Sequence, residues 1–173
     1  MRAKASAPSS CTDGAGAAGA VGIEIDRTAF WPEDFRAFEA RLQENLADLE
    51  GLLNTPDFGA GPATLGAELE LYLVDAEGNP LHVNQEVHAA AADPRLTLEL
   101  NRYNLEYNLT PGPVDGGAFS ATEREILGCL ADLKGHAAAH GGKVVAIGIL
   151  PTLREADFGP GSITDRRRYH ALV

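Results

Sequence analysis

Glu68 and Glu70 stand two residues apart in the stretch 64–74, where Leu65, Ala67, Leu69, Leu71 and Leu73 alternate with Gly66, Glu68, Glu70, Tyr72 and Val74. A period of two marks a strand with one dry face and one wet face. It sets both carboxylates on the wet face, their Cα atoms about 6.6 Å apart at ~3.3 Å of rise per residue. A second strand region, 96–109, repeats the pattern in its latter half: Tyr103, Leu105, Tyr107 and Leu109 share one side, and Asn104, Glu106 and Asn108 the other. Were the two strands neighbours, three carboxylates and two amides would share a patch. Carboxylates so crowded repel unless they are solvated, protonated or bridged by cations. Hard oxygen donors of this kind suit Mg²⁺ or Mn²⁺ rather than zinc. The plain alternative is the wet side of an antiparallel sheet, where glutamate is common.

The elements that would position these residues are legible in outline. Pro32, Glu33 and Asp34 open a helix over 32–53, with Phe35, Phe38, Leu42, Leu46, Leu49 and Leu53 forming one apolar stripe, and Asn54-Thr55-Pro56 stopping it. Such a stripe predicts a helix packed on a sheet. Asp75-Ala76-Glu77-Gly78-Asn79-Pro80 reads as a turn, followed by an irregular stretch to Asp93-Pro94, and Thr110-Pro111-Gly112-Pro113 ends the second strand region. Ser120-Ala121-Thr122-Glu123 is a capping box for a helix with Ile126, Leu127, Leu130, Leu133 and Ala137 inside, closed by Gly141-Gly142. The apolar run 143–150 predicts a strand buried on both faces, with Gly148 marking a close approach. Residues 151–162 read as a loop, and Thr164 or Asp165 as the cap of a helix starting Arg166-Arg167-Arg168-Tyr169. The fold class expected is α+β: an antiparallel or mixed sheet of three or four strands with helices on one face. Residues 1–20, rich in Ala, Gly and Ser, form an expected disordered tail before one domain over 21–173. Leu172-Val173 carries no stop signal, so the expectation is a domain truncated at its C-terminus.

Composition removes other classes. Apolar content of 45% and charged content of 23% exclude collagen, coiled-coil and wholly disordered chains. A formal charge of −11 repels the nucleic-acid backbone, yet leaves a nucleotide carried with a divalent ion open. Cys11 and Cys129 make neither a disulfide framework nor a zinc site. No run of 18 apolar residues and no secretory h-region is present, so a cytoplasmic protein without membrane partners is expected.

The remaining candidates are weaker. His136 and His140 have i, i+4 spacing but no third ligand nearby, and a helix C-terminus suits histidine for its dipole. His82, His88 and His170 carry no signal. Arg166, Arg167 and Arg168 read as a solvated basic helix start that could also reach phosphates. Gly159-Pro160-Gly161 lacks the Lys-Ser/Thr ending of a phosphate loop. Tyr72 and Asn108 are either partners of the acidic face or ordinary surface positions.

Taken in order, Thr64-Leu65-Gly66-Ala67-Glu68-Leu69-Glu70-Leu71-Tyr72-Leu73-Val74-Asp75, then Asn104-Leu105-Glu106-Tyr107-Asn108-Leu109-Thr110-Pro111, a helix, and His140-Gly141-Gly142-Lys143-Val144-Val145-Ala146-Ile147-Gly148 resemble the glutamate–cysteine ligase family in its carboxylate–amine ligase branch. The resemblance covers residues 60–173. It implies the N-terminal part of a glutamine-synthetase-like catalytic domain, with Glu68 and Glu70 matching the family's acidic pair and Glu106 the acid on the following strand. These would hold Mg²⁺ or Mn²⁺, with Asn108, Tyr72 and Arg168 on the substrate side and no catalytic residue separate from the metal ligands. The implied reaction phosphorylates the γ-carboxyl of glutamate with ATP, after which an amine such as cysteine displaces phosphate, as in glutathione biosynthesis. The implied partners are these small molecules, with a homo-oligomer possible. The family's catalytic domain is longer, and its later strands add metal ligands and phosphate-binding bases. The alternative expectation is therefore a non-catalytic fragment or binding module that keeps the sheet without turning over ATP.

Overall fold

The computed structural model describes residues 24–114 and 116–172. The expected tail over 1–20, Cys11 within it and the terminal Val173 lie outside the described residues.

Alternation builds the sheet as anticipated. Strand β2 (Glu68–Val74) lies between β4 (Asn104–Asn108) and β6 (Lys143–Val145), and β3 (Leu96–Leu98) flanks β4, all antiparallel in the order β3-β4-β2-β6. A short strand β1 (Thr64–Leu65) pairs separately with β5 (Gly112–Pro113). The dry face carries Leu71, Leu73, Leu96, Leu98, Leu105, Tyr107 and Leu109. Over it pack Val87 of α2 (Asn84–Ala91) and Cys129, Leu133 and Ala137 of α3 (Ala118–Ala139). This is an α+β fold with its core between one sheet face and two helices.

Several expectations need correction. The run 64–74 is broken at Gly66-Ala67, where the chain passes from one sheet to the other. The region 96–109 is a hairpin: Leu96 and Leu98 fall on the same side as Leu105 and Tyr107, so apolar spacing does not betray the reversal. The turn is set by backbone bonds, Asn104 N–H to Asn101 C=O and Arg102 N–H to Ser162 C=O. Tyr103 leaves the core face and stacks on Tyr72 with ring centroids 6.2 Å apart. The irregular stretch before Asp93 contains α2, whose signal was the four-residue spacing of Val83, Val87 and Ala91.

Helix α3 begins at Ala118, so Ser120 lies inside it and forms no cap; the Thr122 hydroxyl instead donates to the Ala118 carbonyl at 3.1 Å. Strand β6 is an edge strand of three residues. A strand buried on both faces needs a central place with layers above and below, and without one Ile147 and Ile149 are 40% and 79% exposed. Gly148 meets nothing within 4 Å, so no close approach explains it.

The largest correction concerns α1 (Pro32–Leu53). The helix forms over the predicted residues, and the Asp34 carboxylate caps it by accepting the Trp31 N–H at 2.9 Å. No residue of it is buried. One sheet face is already taken by α2 and α3, and the other bears carboxylates, so no layer remains for its stripe.

Candidate functional site

The wet face is organised in rows across the strands. Glu68 is opposite Asn108, Glu70 opposite Glu106, and Tyr72 opposite Asn104. Glu106 in turn faces Thr97 of β3. Directly opposed residues of an antiparallel pair share a face with Cβ atoms about 4.5–5.5 Å apart, and like charges so placed are destabilising. The Glu70–Glu106 pair is thus an arrangement that stability alone does not select.

Glu106 is 9% exposed, the most buried carboxylate of this face. Its Oε1 accepts the Thr97 hydroxyl at 3.1 Å and the Asn108 amide at 3.0 Å. Both donors converge on one oxygen, which fixes the carboxylate plane and leaves Oε2 with no hydrogen bond among the described residues. Asn108 therefore acts on the acidic face by orienting Glu106. Tyr72 is half-buried and lines a 170 Å³ hollow with Glu70, Glu99 and Asn104.

A larger hollow of 430 Å³ adjoins it, lined by Glu106, Thr97 and Glu99 on the sheet side and by Arg168, Tyr169 and Leu172 opposite. Helix α4 (Arg167–His170) supplies that wall, starting one residue later than expected. Tyr169 Oη donates to the Leu98 carbonyl at 2.6 Å, and Arg168 Nη2 donates to Tyr169 Oη at 2.8 Å. Arg166 and Arg167 are exposed, as a solvated helix start should be; Arg168 alone turns to the acidic hollow.

Glu99 is the carboxylate that sequence spacing missed. Burial pushes its pKa up, the Leu100 N–H opposes that, and the charges of Glu106 and Glu70 add to the rise. The position is built by backbone support: Thr164 Oγ1 donates to the Glu99 carbonyl at 2.6 Å and receives the Asn84 amide at 2.8 Å. Its overlooked sequence signal was the alternation Leu96-Thr97-Leu98-Glu99-Leu100, which sets it on the wet face with Thr97.

The remaining candidates lie elsewhere. Glu68 is exposed and lines neither hollow, so it sits at the open end of the row. His136 is on the helix side, in a separate hollow with Cys129 and Tyr107. Burial pushes the Cys129 thiol up to about 11, which leaves it protonated and unreactive near neutrality. His140 ends α3 as its C-cap.

Carboxylate oxygens are the donor type that Mg²⁺ or Mn²⁺ takes, and the mutual repulsion felt by Glu99 is what a cation would relieve. Among the described residues, however, no three His, Cys, Asp or Glu side chains converge closely enough to enclose a metal ion. The face is therefore an open row of acids beside one arginine. No helix among the described residues is long and apolar enough to cross a membrane.

Comparison with known proteins places this face in a family. A glutamate–cysteine ligase from Haloferax volcanii is 35% identical over 98 residues, which cover 53% of this chain and 26% of that protein. The match thus spans about a quarter of the relative's length. No solved structure matches the chain. Residues 64–173, which hold the sheet with α2 and α3 on its dry face and α4 beside its acidic one, match the family description as well, and on that ground the chain belongs to glutamate-cysteine ligase family 2 (GCS2).

Proposed function

We propose that this chain carries part of the active face of an ATP-dependent carboxylate–amine ligase acting on glutamate and an amine such as cysteine. The reading rests on one observation above the others: Glu70 and Glu106 are directly opposed across β2 and β4 beside the Arg168-lined hollow. Glu70 and Glu106 would hold a Mg²⁺ or Mn²⁺ ion, with Glu68 at the open end and Glu99 beside them. When bound, such an ion neutralises charge on phosphoryl oxygens. The chain's own residues then have distinct tasks. Thr97 and Asn108 hold Glu106 in one orientation, which lowers the entropic cost of engaging a ligand with its second oxygen. Arg168 offers a fixed positive group to a carboxylate or phosphate entering the hollow. Tyr72 and Tyr169 wall the two hollows and restrict water. In this reading the γ-carboxylate of glutamate takes the terminal phosphoryl group of ATP, and the amine then displaces phosphate. The sheet corresponds to the N-terminal part of a glutamine-synthetase-like domain.

A second reading keeps the binding and drops the turnover. It is favoured by the exposure of Glu68 and Glu70, which leaves the face open on that side.

Mn²⁺ titration followed by electron paramagnetic resonance tests the site. Saturable binding is expected, weakened about tenfold or more by Glu70→Gln and by Glu106→Gln, since each removes one charged donor. Binding unchanged in both variants would overturn the assignment. ADP release that requires glutamate and an amine supports the ligase reading; intact Mn²⁺ binding without it supports the second.

A further inference from the structure

We propose that Asn84 and Thr164 are positioning residues: their buried bonds clamp the β3–β4 turn to the segment leading into α4, and so fix the Glu99–Glu106 wall of the larger hollow against its Arg168 wall. The two walls come from distant parts of the chain, the hairpin of β3 and β4 and the residues after Gly161. Helix α4 is a single turn, and a helix that short does not hold its place alone. The segment before it is laced to the turn instead. Arg102 N–H donates to the Ser162 carbonyl at 2.7 Å, Thr164 N–H to the Leu100 carbonyl at 2.8 Å, and Asn101 bridges Ile163.

Side chains lock this lacing from beneath. Thr164 is fully buried and Asn84 is 1% exposed. The Thr164 hydroxyl donates to the Glu99 carbonyl and accepts the Asn84 amide, which also lies 3.1 Å from the carbonyls of both Asn101 and Asn104. Asn84 N–H donates to the Arg102 carbonyl at 3.0 Å. Four consecutive carbonyls, from Glu99 to Arg102, are thus each bound by Asn84 or Thr164. Asn84 is committed to this joint: two amide hydrogens serve three acceptors, while its Oδ1 accepts no bond among the described residues. A residue chosen for α2 alone would not carry that cost. What the joint supplies is geometry. Glu99 stands at one end of it, Glu106 two residues beyond Asn104, and Arg168 four residues beyond Thr164. The charges of Glu70, Glu99 and Glu106 oppose their gathering, so a rigid support has work to do there. Yet Asn84 and Thr164 line neither hollow, so they act on it only through the groups they hold. What the walls bind rests on the metal reading above; that they are clamped does not.

Residue-resolved amide exchange by nuclear magnetic resonance, together with Mn²⁺ titration by electron paramagnetic resonance, tests this on the 173-residue chain. Thr164→Val keeps the shape and removes the hydroxyl, Thr164→Ser restores the hydroxyl, and Asn84→Ala removes the amide. Leu133→Val, in the core on α3, is the control for lost stability alone. In Thr164→Val and Asn84→Ala, exchange at positions 102 and 164 should rise about tenfold relative to that at Leu71 and Leu105, a local opening rather than global unfolding. Mn²⁺ binding should weaken about fivefold in the same two variants, and Thr164→Ser should return both readouts to within about twofold of the parent. Leu133→Val should move neither. An exchange ratio that stays constant overturns the proposal, since the bonds would then serve general stability. A ratio that rises while Mn²⁺ affinity is untouched also overturns it, as does a Thr164→Ser variant that behaves like Thr164→Val. A parent that binds no Mn²⁺ would sink the metal reading, and the exchange ratio alone would then decide the clamp: a rise supports it and a constant ratio overturns it.

Discussion

Glu99 lies just past the end of β3, and its carboxyl is squeezed between burial and the charges of Glu106 and Glu70. A raised pKa means that the folded state holds this proton more tightly than the unfolded chain does. Below the ordinary glutamate value of 4.5 both states are protonated and the group contributes nothing. As pH rises past that value the unfolded chain ionises first, so the folded state loses stability through the window up to the raised pKa and carries the penalty above it. Glu99→Gln removes the charge and keeps the shape. Its urea midpoint should exceed that of the parent at pH 7 and coincide with it near pH 4. A gain equal at both values would show that the residue's effect is not electrostatic. Residues were legible where alternation was regular, as for Glu70, Glu106 and Asn108. Glu99 continues the alternation of Leu96, Thr97 and Leu98, but the hairpin that brings it beside Glu106 rests on Thr164 and Asn84, 65 and 15 residues away in the chain, through bonds that no local pattern encodes.

At the scale of elements, the Gly141-Gly142 stop shows what a sequence signal can mean physically. Gly141 has φ +74°, the left-handed conformation that ends a helix and favours glycine. Gly142 is needed for a different reason: a Cβ there would stand 2.7 Å from Leu81 Cδ2, 3.3 Å from the Ala137 carbonyl and 3.4 Å from that of Val74. The leucine can shift, but the two backbone oxygens belong to α3 and β2 and cannot both yield. Gly142→Ala should therefore cost about 1–2 kcal/mol by overpacking, read as a lower urea midpoint. Gly148→Ala, with open space around it, should stay within about 0.5 kcal/mol. Equal costs would mean that the turn after α3 is looser than its contacts imply. Elements with a period and a stop, such as α1 and β2, were readable over nearly their full lengths. Those decided by neighbours were not: β6 looked like a buried strand and is an edge, because apolar content reports what a segment would bury and says nothing of which layers exist to bury it.

The molecule as a whole divides into a packed layer and an appended helix. Every member of the core cluster lies between Leu71 and Ala137, and none belongs to α1. The bonds that tie the preceding segment to α4, Arg167 to the Asp26 carbonyl and Arg168 N–H to Glu24, are solvent-exposed and contribute little. The sheet with α2 and α3 should therefore fold without residues 1–58. A chain of residues 59–173 is expected to unfold in one cooperative urea transition with stability within about 0.5 kcal/mol of the parent, the range of surface changes. A loss well above about 1 kcal/mol, or a second transition in the parent that the shortened chain lacks, would show that α1 docks on the layer, and the two parts would have to be treated as one folding unit.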